Sequence, residues 1–157
     1  MKLRGWIVAL LMVCASAPLA VAQSNLDAAT TSEQYVPRLG DIMDAVQIRH
    51  MKLWFAGKAL NWELAAYELR QLKAGLLEAA VLYEGIPVTN VTTMTIPVQS
   101  VADAIEAKDS RRLAKAFGEL TDGCNSCHKS MGRGFIAIQM PTASPFSDQS
   151  FAPQGKP

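Results

Sequence analysis

The chain has 157 residues, of which 50% are hydrophobic and 18% charged, and its formal net charge is +1. This length suits one domain, and the apolar content is enough to bury a sizeable core without disulfide staples. The near-neutral charge gives no reason to expect a nucleic acid or a membrane surface as partner.

The first residues have the pattern of a secretion signal. Lys2 and Arg4 precede the apolar run WIVALLMVCA, and the small-residue sequence AVA ends at Ala22. Cys14 lies inside the run, but the residue before it is valine rather than a small residue, which disfavours a lipid-anchored cysteine. We therefore expect a signal peptide at residues 1–22, export to the periplasm, and a mature form without a membrane anchor.

Periodic structure begins after a small, polar stretch at residues 23–32, which predicts a flexible leader. A first helix is predicted to start between Glu33 and Leu39, with Pro37 in its first turn. Its apolar positions recur at alternating spacings of four and three, the seam of a helix packed in a bundle. These positions are Leu39, Met43, Val46, His50, Leu53 and Gly57.

The second predicted helix has Asn61 as its N-cap, and Gly85 with Pro87 ends it. Its apolar positions again follow helical spacing, and they are Trp62, Ala66, Leu69, Leu72, Leu76, Ala79 and Tyr83. The next segment, IPVTNVTTMTIPV, is predicted as a connection, with a short strand as the alternative. A third helix is predicted over about Val98–Ala107.

Asp109 or Ser110 is predicted to cap a fourth helix, which Gly132 and Gly134 end. The spacing of four and three continues along it and places two cysteines on the buried face. The positions concerned are Leu113, Phe117, Leu120, Cys124, Cys127 and Met131.

Four helical stripes with short connections predict an all-α fold, an antiparallel four-helix bundle over residues 33–132. Residues 133–157 are rich in proline and serine, which predicts an irregular C-terminal extension. The extension also carries several large apolar side chains, so part of it is expected to pack on the bundle.

Cys124, Cys127 and His128 form the pattern C-x-x-C-H, by which haem is attached in c-type cytochromes. Residues three and four apart share a helix face, so two thiols and an imidazole can converge on one flat group. The thiols can add to the two vinyl groups of haem, and the imidazole can bind the iron as proximal ligand. We therefore expect one covalently attached haem c, bound to the last helix.

Three other interpretations of the cysteine pair are weaker. A disulfide across two intervening residues needs no histidine and closes a loop too small to stabilise much. A thioredoxin-like redox pair usually accompanies a βαβ pattern, which the sequence lacks. A zinc site needs four ligands, and the chain after residue 22 supplies only two cysteines and two histidines.

An attachment motif late in the chain, on the last helix of a bundle, resembles the class II cytochromes c, the cytochrome c′ group and its low-spin relatives. The resemblance covers about Glu33–Gly132 in architecture and is residue by residue only at Cys124, Cys127 and His128. The long extension departs from this family, whose members mostly lack one. The resemblance also implies a homodimer as one option, since class II bundles often pair through their first two helices.

The second axial ligand decides the function, because a filled position favours electron transfer and an open one admits small gases. His50 is the only other histidine, and its place in the apolar seam makes it the favoured ligand. Met43 on the same seam is an alternative, since low-spin class II relatives take a methionine from the first helix. Met140, which precedes a proline, is another, and an open position as in cytochrome c′ is the last.

The sequence therefore predicts a periplasmic monohaem c-type cytochrome that carries electrons between redox partner proteins. Its cofactor-binding residues would be Cys124, Cys127, His128 and His50, and the two histidines would bind the iron. The alternative is a five-coordinate haem protein that binds nitric oxide or carbon monoxide. An enzyme is disfavoured, because no distal acid–base set accompanies His50. Arg49 and Arg133 are candidates for pairing with haem propionates.

Overall fold

The computed structural model describes residues 35–155, and within them every regular element is a helix. In chain order the helices are α1 Leu39–Lys58, α2 Trp62–Leu82, α3 Val88–Thr93, α4 Thr95–Glu106 and α5 Ser110–Ser130. All of them belong to one compact unit, Pro37–Pro157. The predicted all-α class is thus confirmed for the described residues. The predicted signal peptide and leader lie outside them.

Four of the helices are long, whereas α3 has only six residues. This set of elements is compatible with a helical bundle. Within residues 35–155 no helix combines the length and the hydropathy that a bilayer crossing requires.

The predicted N-caps of α2 and α5 are confirmed by their hydrogen bonds. The side-chain oxygen of Asn61 accepts a bond of 3.1 Å from the N–H of Leu64. Asp109 accepts bonds of 2.9 and 3.0 Å from the backbone N–H groups of Arg111 and Arg112. Each cap satisfies backbone donors that have no partner inside the helix, so both helices begin directly after the capping residue.

The segment between α2 and α4 differs from the prediction of a connection or short strand. The structure has α3 in this segment, and α4 begins at Thr95 rather than near Val98. Pro97 is the third residue of α4, where its missing N–H would have had no intrahelical partner, so it does not prevent a helix. The position of Pro37 also differs from the prediction. It lies two residues before the first residue of α1, Leu39, and not in the first turn of the helix.

The core is formed by apolar side chains from α1, α2, α4 and α5. Its largest fully buried side chains are Phe117, Leu53, Leu72, Leu120, Glu68 and Val101. Burying one large apolar side chain stabilises the fold by roughly 1.5–3 kcal/mol. The Phe117 ring of α5 packs against two rings of α1, with its centroid 4.3 Å from that of His50 and 4.9 Å from that of Trp54.

A buried carboxylate on α2 interrupts this core, and the apolar stripe of the sequence does not indicate it. Glu68 is fully buried and accepts a hydrogen bond of 3.1 Å from Arg49 Nη1 of α1. A buried charge is tolerated when it is paired and hydrogen-bonded, so this bond links α1 to α2. Arg49, one of the two candidates for pairing with a propionate, therefore has a partner within the protein.

Two glycines allow close approach of α1 to its neighbours. A Cβ atom on Gly57 of α1 would collide with the Leu113 side chain of α5. A Cβ atom on Gly75 of α2 would lie 2.6 Å from Val46 Cγ2 of α1. The absence of a side chain at both positions thus lets α5 and α2 pack directly on the helix that carries His50.

Candidate functional site

A cavity of about 420 Å³ lies beside the first half of α1 and the last half of α5. Cofactor and small-molecule sites in proteins usually occupy about 300–1,000 Å³, so this volume is typical of them. All four predicted site residues line it, namely Cys124, Cys127, His128 and His50. Most of the other lining residues are apolar, among them Leu39, Met43, Val46, Leu76, Met94, Ile136 and Ile138.

The two thiols of α5 are both free, and one turn of helix separates them. Burial, together with the neighbouring Cys127, raises the pKa of the Cys124 thiol to about 11. Burial also raises the pKa of Cys127 above its ordinary value. Thiol–disulfide exchange depends on a thiolate, which a lowered pKa provides. The environment of this pair therefore does not suit a thioredoxin-like redox role.

The imidazole of His128 is oriented by the backbone that follows α5. Its Nδ1 lies 2.9 Å from the carbonyl oxygen of Ile136. A carbonyl can only accept, so Nδ1 carries a proton, which leaves Nε2 as the ring nitrogen whose lone pair a metal can bind. Histidines that bind metals usually donate their other ring N–H in this way, and His128 is thus prepared to act as a ligand through Nε2.

The end of α5 brings Ile136 back to His128. Gly132 has a φ of +67°, in the left-handed region that favours glycine. The N–H of Arg133 donates to the His128 carbonyl at 2.7 Å, and the N–H of Gly132 donates to the Lys129 carbonyl at 3.1 Å. These two bonds form a Schellman motif, which reverses the chain direction just after His128.

His50 lies at the wall of the cavity and is only 2% exposed. Its Nε2 is 2.9 Å from the Thr121 hydroxyl oxygen, and that hydroxyl donates to the Phe117 carbonyl at 2.8 Å. The Thr121 oxygen therefore accepts from Nε2–H, and Nδ1 is the ring nitrogen with a lone pair. Burial lowers the pKa of His50 to about 4, so the ring is neutral at neutral pH.

The two methionine candidates for the second axial position differ in location. Met43 of α1 lines the cavity, whereas Met140 lies outside the lining and is 38% exposed. Met94 and Met131 also line the cavity, although the sequence does not single them out as site residues. Met94 comes from the segment predicted as a connection, and it lies between α3 and α4.

Two further residues of the site have no clear signal in the sequence. Thr121 contacts His50 across 71 positions of the chain, and Asn125 contacts Ile138 across 13.

Arg133 lines the cavity and is exposed, which makes it available to an acidic group at the cavity mouth.

The residues around the cavity fit haem c. Two free thiols stand one turn apart on one helix, an adjacent imidazole has Nε2 available, and the surrounding wall is mostly apolar. In residues 35–155, no three His, Cys, Asp or Glu side chains come together as a metal-binding group of their own.

Comparisons of the chain with protein-family models, with curated proteins and with solved structures find no match.

Proposed function

We propose that this protein is a periplasmic monohaem c-type cytochrome that carries electrons between redox partner proteins. Thioether bonds would attach the haem to Cys124 and Cys127, and His128 and His50 would bind its iron. The supporting observation is that one cavity is lined by both free thiols and by two histidines, each with one ring nitrogen already hydrogen-bonded. When bound, haem supplies one-electron chemistry between ferric and ferrous iron.

His128 suits the role of proximal ligand because of its bond to Ile136. The Nδ1–H bond to the carbonyl fixes the ring orientation and makes Nε2 a stronger electron-pair donor. Its position directly after Cys127 puts the imidazole on the same helix as both attachment points. The polypeptide therefore orients this ligand through its own backbone.

His50 suits the role of distal ligand by similar chemistry. Donation of Nε2–H to Thr121 leaves Nδ1 as the nitrogen for iron. Its burial keeps the ring neutral, which a ligand requires, and the neighbouring Phe117 ring restricts its motion. A second strong ligand favours electron transfer over the binding of external molecules.

We further propose that the four long helices form an antiparallel bundle of the class II cytochrome c type, with haem attached on the last one. Only residues 59–61 separate α1 from α2, and a short connection favours antiparallel neighbours. Along α1 and α5, residue numbers change in opposite directions, because Gly57 faces Leu113 and His50 contacts Thr121. These contacts support an antiparallel pairing of the two helices that carry the candidate ligands.

The second candidate function is a five-coordinate haem protein that binds nitric oxide or carbon monoxide. One observation favours it: the His50 ring is already held by Thr121 and by the Phe117 ring. If His50 kept only this structural role, the second axial position would be open to a small gas.

An optical spectrum of the reduced protein, with and without carbon monoxide, separates the two functions. We expect a low-spin spectrum that carbon monoxide does not change in the wild-type protein, and carbon monoxide binding in His50→Ala. Met43→Leu is the matched control and should behave as the wild type. Rapid binding by the wild-type protein would support the five-coordinate alternative, and an unchanged low-spin spectrum in His50→Ala would eliminate His50 as ligand.

A further inference from the structure

Asn125, the first residue between the two cysteines, is joined to the C-terminal extension by two hydrogen bonds. Its Nδ2 donates to the Ile138 carbonyl at 2.9 Å, and the Ile138 N–H donates to its Oδ1 at 2.7 Å. Both distances are those of well-formed bonds. The side-chain amide thus satisfies both backbone groups of one residue, and we call this pair of bonds the Asn125–Ile138 clamp.

The clamp acts two residues away from the carbonyl that accepts from His128. On the other side of that carbonyl, the Schellman motif fixes the chain, and the Ile136 N–H donates to the Arg133 carbonyl at 2.8 Å. Ile136 is therefore held by a turn before it and by the clamp after it. Neither its exposed side chain nor regular secondary structure would otherwise fix this position.

We propose that Asn125 is a positioning residue for the proximal ligand: through Ile138 it holds the Ile136 carbonyl against His128 and thereby lowers the reduction potential of the haem. This inference rests on the proposed function. A carbonyl that accepts from Nδ1–H makes Nε2 a stronger donor, and a stronger donor favours ferric over ferrous iron. The redox change is one electron received from a partner protein, and the proton stays on Nδ1.

The role assigned to Asn125 is specific to its place in the motif. Ser126, the other residue between the cysteines, is exposed and lies next to Asn125 in the same helix. Like Asn125, Ser126 is adjacent to one of the two cysteines, but it has no part in the clamp. Ser126→Ala is therefore the matched control.

The test compares haem-loaded wild-type protein with Asn125→Ala, Asn125→Leu and Ser126→Ala. Leucine has the same branching at Cγ as asparagine but no polar atoms, so this variant keeps the shape of the side chain if the alanine variant folds poorly. The midpoint potential is measured by spectroelectrochemistry, and amide hydrogen exchange at Ile138 is measured by NMR. The second readout reports the clamp whether or not electrons are transferred.

We expect both Asn125 variants to accelerate exchange at Ile138 by about tenfold, since the Ile138 N–H loses its acceptor and tenfold corresponds to about 1.4 kcal/mol. We expect their potentials to rise by about 59 mV, which corresponds to a tenfold change in the preference for ferric iron. Ser126→Ala should change neither quantity. Faster exchange with an unchanged potential, or unchanged exchange, would overturn the inference. A wild-type protein without haem would instead refute the proposed function, and exchange at Ile138 would still report the clamp.

Discussion

His50 and His128 each use one ring nitrogen in a hydrogen bond within the polypeptide. The partner of His128 is a backbone carbonyl, and the partner of His50 is the hydroxyl of Thr121. In both rings this bond determines which nitrogen keeps the lone pair, and only that nitrogen can bind a metal. The ability of either residue to serve as a ligand thus depends on a neighbour as well as on the imidazole itself.

The buried position of His50 predicts a pH dependence of the haem-free polypeptide. Its pKa is lowered from 6.5 to about 4 by burial, so the unfolded chain binds a proton at higher pH than the folded chain. The free energy of unfolding should therefore be highest above about pH 6.5. It should decrease as the pH falls towards 4, by at most about 3 kcal/mol. Urea denaturation at several pH values measures this loss.

The control for this prediction is His50→Gln, which keeps a donor near Thr121 but does not titrate in that range. Its stability should depend less on pH than that of the wild-type protein. Identical pH dependence in the two proteins would show that His50 does not carry the effect.

The single residues of the site differ in how far the sequence predicts them. Cys124, Cys127 and His128 lie within about one turn of one helix, so their spacing alone brings them together. His50 was predictable from its place in an apolar seam. Thr121 of the site and Glu68 of the core were not, because their partners lie 71 and 19 positions away and no local pattern encodes those pairings.

At the scale of the helices, the predicted starts agree with the structure where a side chain caps the backbone. Asn61 and Asp109 mark the starts of α2 and α5 because their oxygens bond to free N–H groups. No such side-chain bond caps α3 or α4, and their Thr- and Val-rich sequence has low intrinsic helix propensity. Buried Met94 and Val98 indicate that tertiary packing favours helix there, which a single-sequence pattern does not report.

The contact of α1 with α5 at Gly57 gives a second prediction. In Gly57→Ala, helix propensity should stabilise the protein by about 1 kcal/mol, but collision with Leu113 should destabilise it by about 1–3 kcal/mol. A net loss of up to about 2 kcal/mol is therefore expected. In the control Gly118→Ala on α5, no atom lies near the added Cβ, and a gain of up to about 1 kcal/mol is expected.

Urea denaturation of both variants measures this difference. Opposite signs of the two changes in unfolding free energy are the expected result. If Gly57→Ala were as stabilising as Gly118→Ala, the result would contradict a close contact of α1 with α5 at Gly57.

At the scale of the whole molecule, the C-terminal extension connects the end of α5 with α1. After the clamp at Ile138, the Phe146 ring lies 4.9 Å from Lys52 Nζ, and the Phe151 ring centroid lies 5.8 Å from that of Phe55. Asn61 also donates to the Ala152 carbonyl at 3.3 Å. The route of this segment could not be predicted, because its sequence has no periodicity. The homodimer through the first two helices stays a prediction.

Phe151 provides the third prediction, because it is half-buried against the core. Phe151→Ala should lower the free energy of unfolding by about 2 kcal/mol, less than the 3–5 kcal/mol typical of a fully buried phenylalanine. Phe135→Ala is the control, since Phe135 is 79% exposed and its loss should change stability by less than about 0.5 kcal/mol. Equal effects in thermal denaturation would contradict the packing of the extension.

The intact mass and optical spectrum of the protein, exported from a cell that matures c-type cytochromes, show whether haem is covalently bound to Cys124 and Cys127. We predict the mass of the chain without residues 1–22 plus one haem, retained under denaturing conditions, with the absorption bands of haem c. The double variant Cys124→Ala/Cys127→Ala should lose covalent attachment. A colourless wild-type protein with the mass of the bare polypeptide would contradict the account.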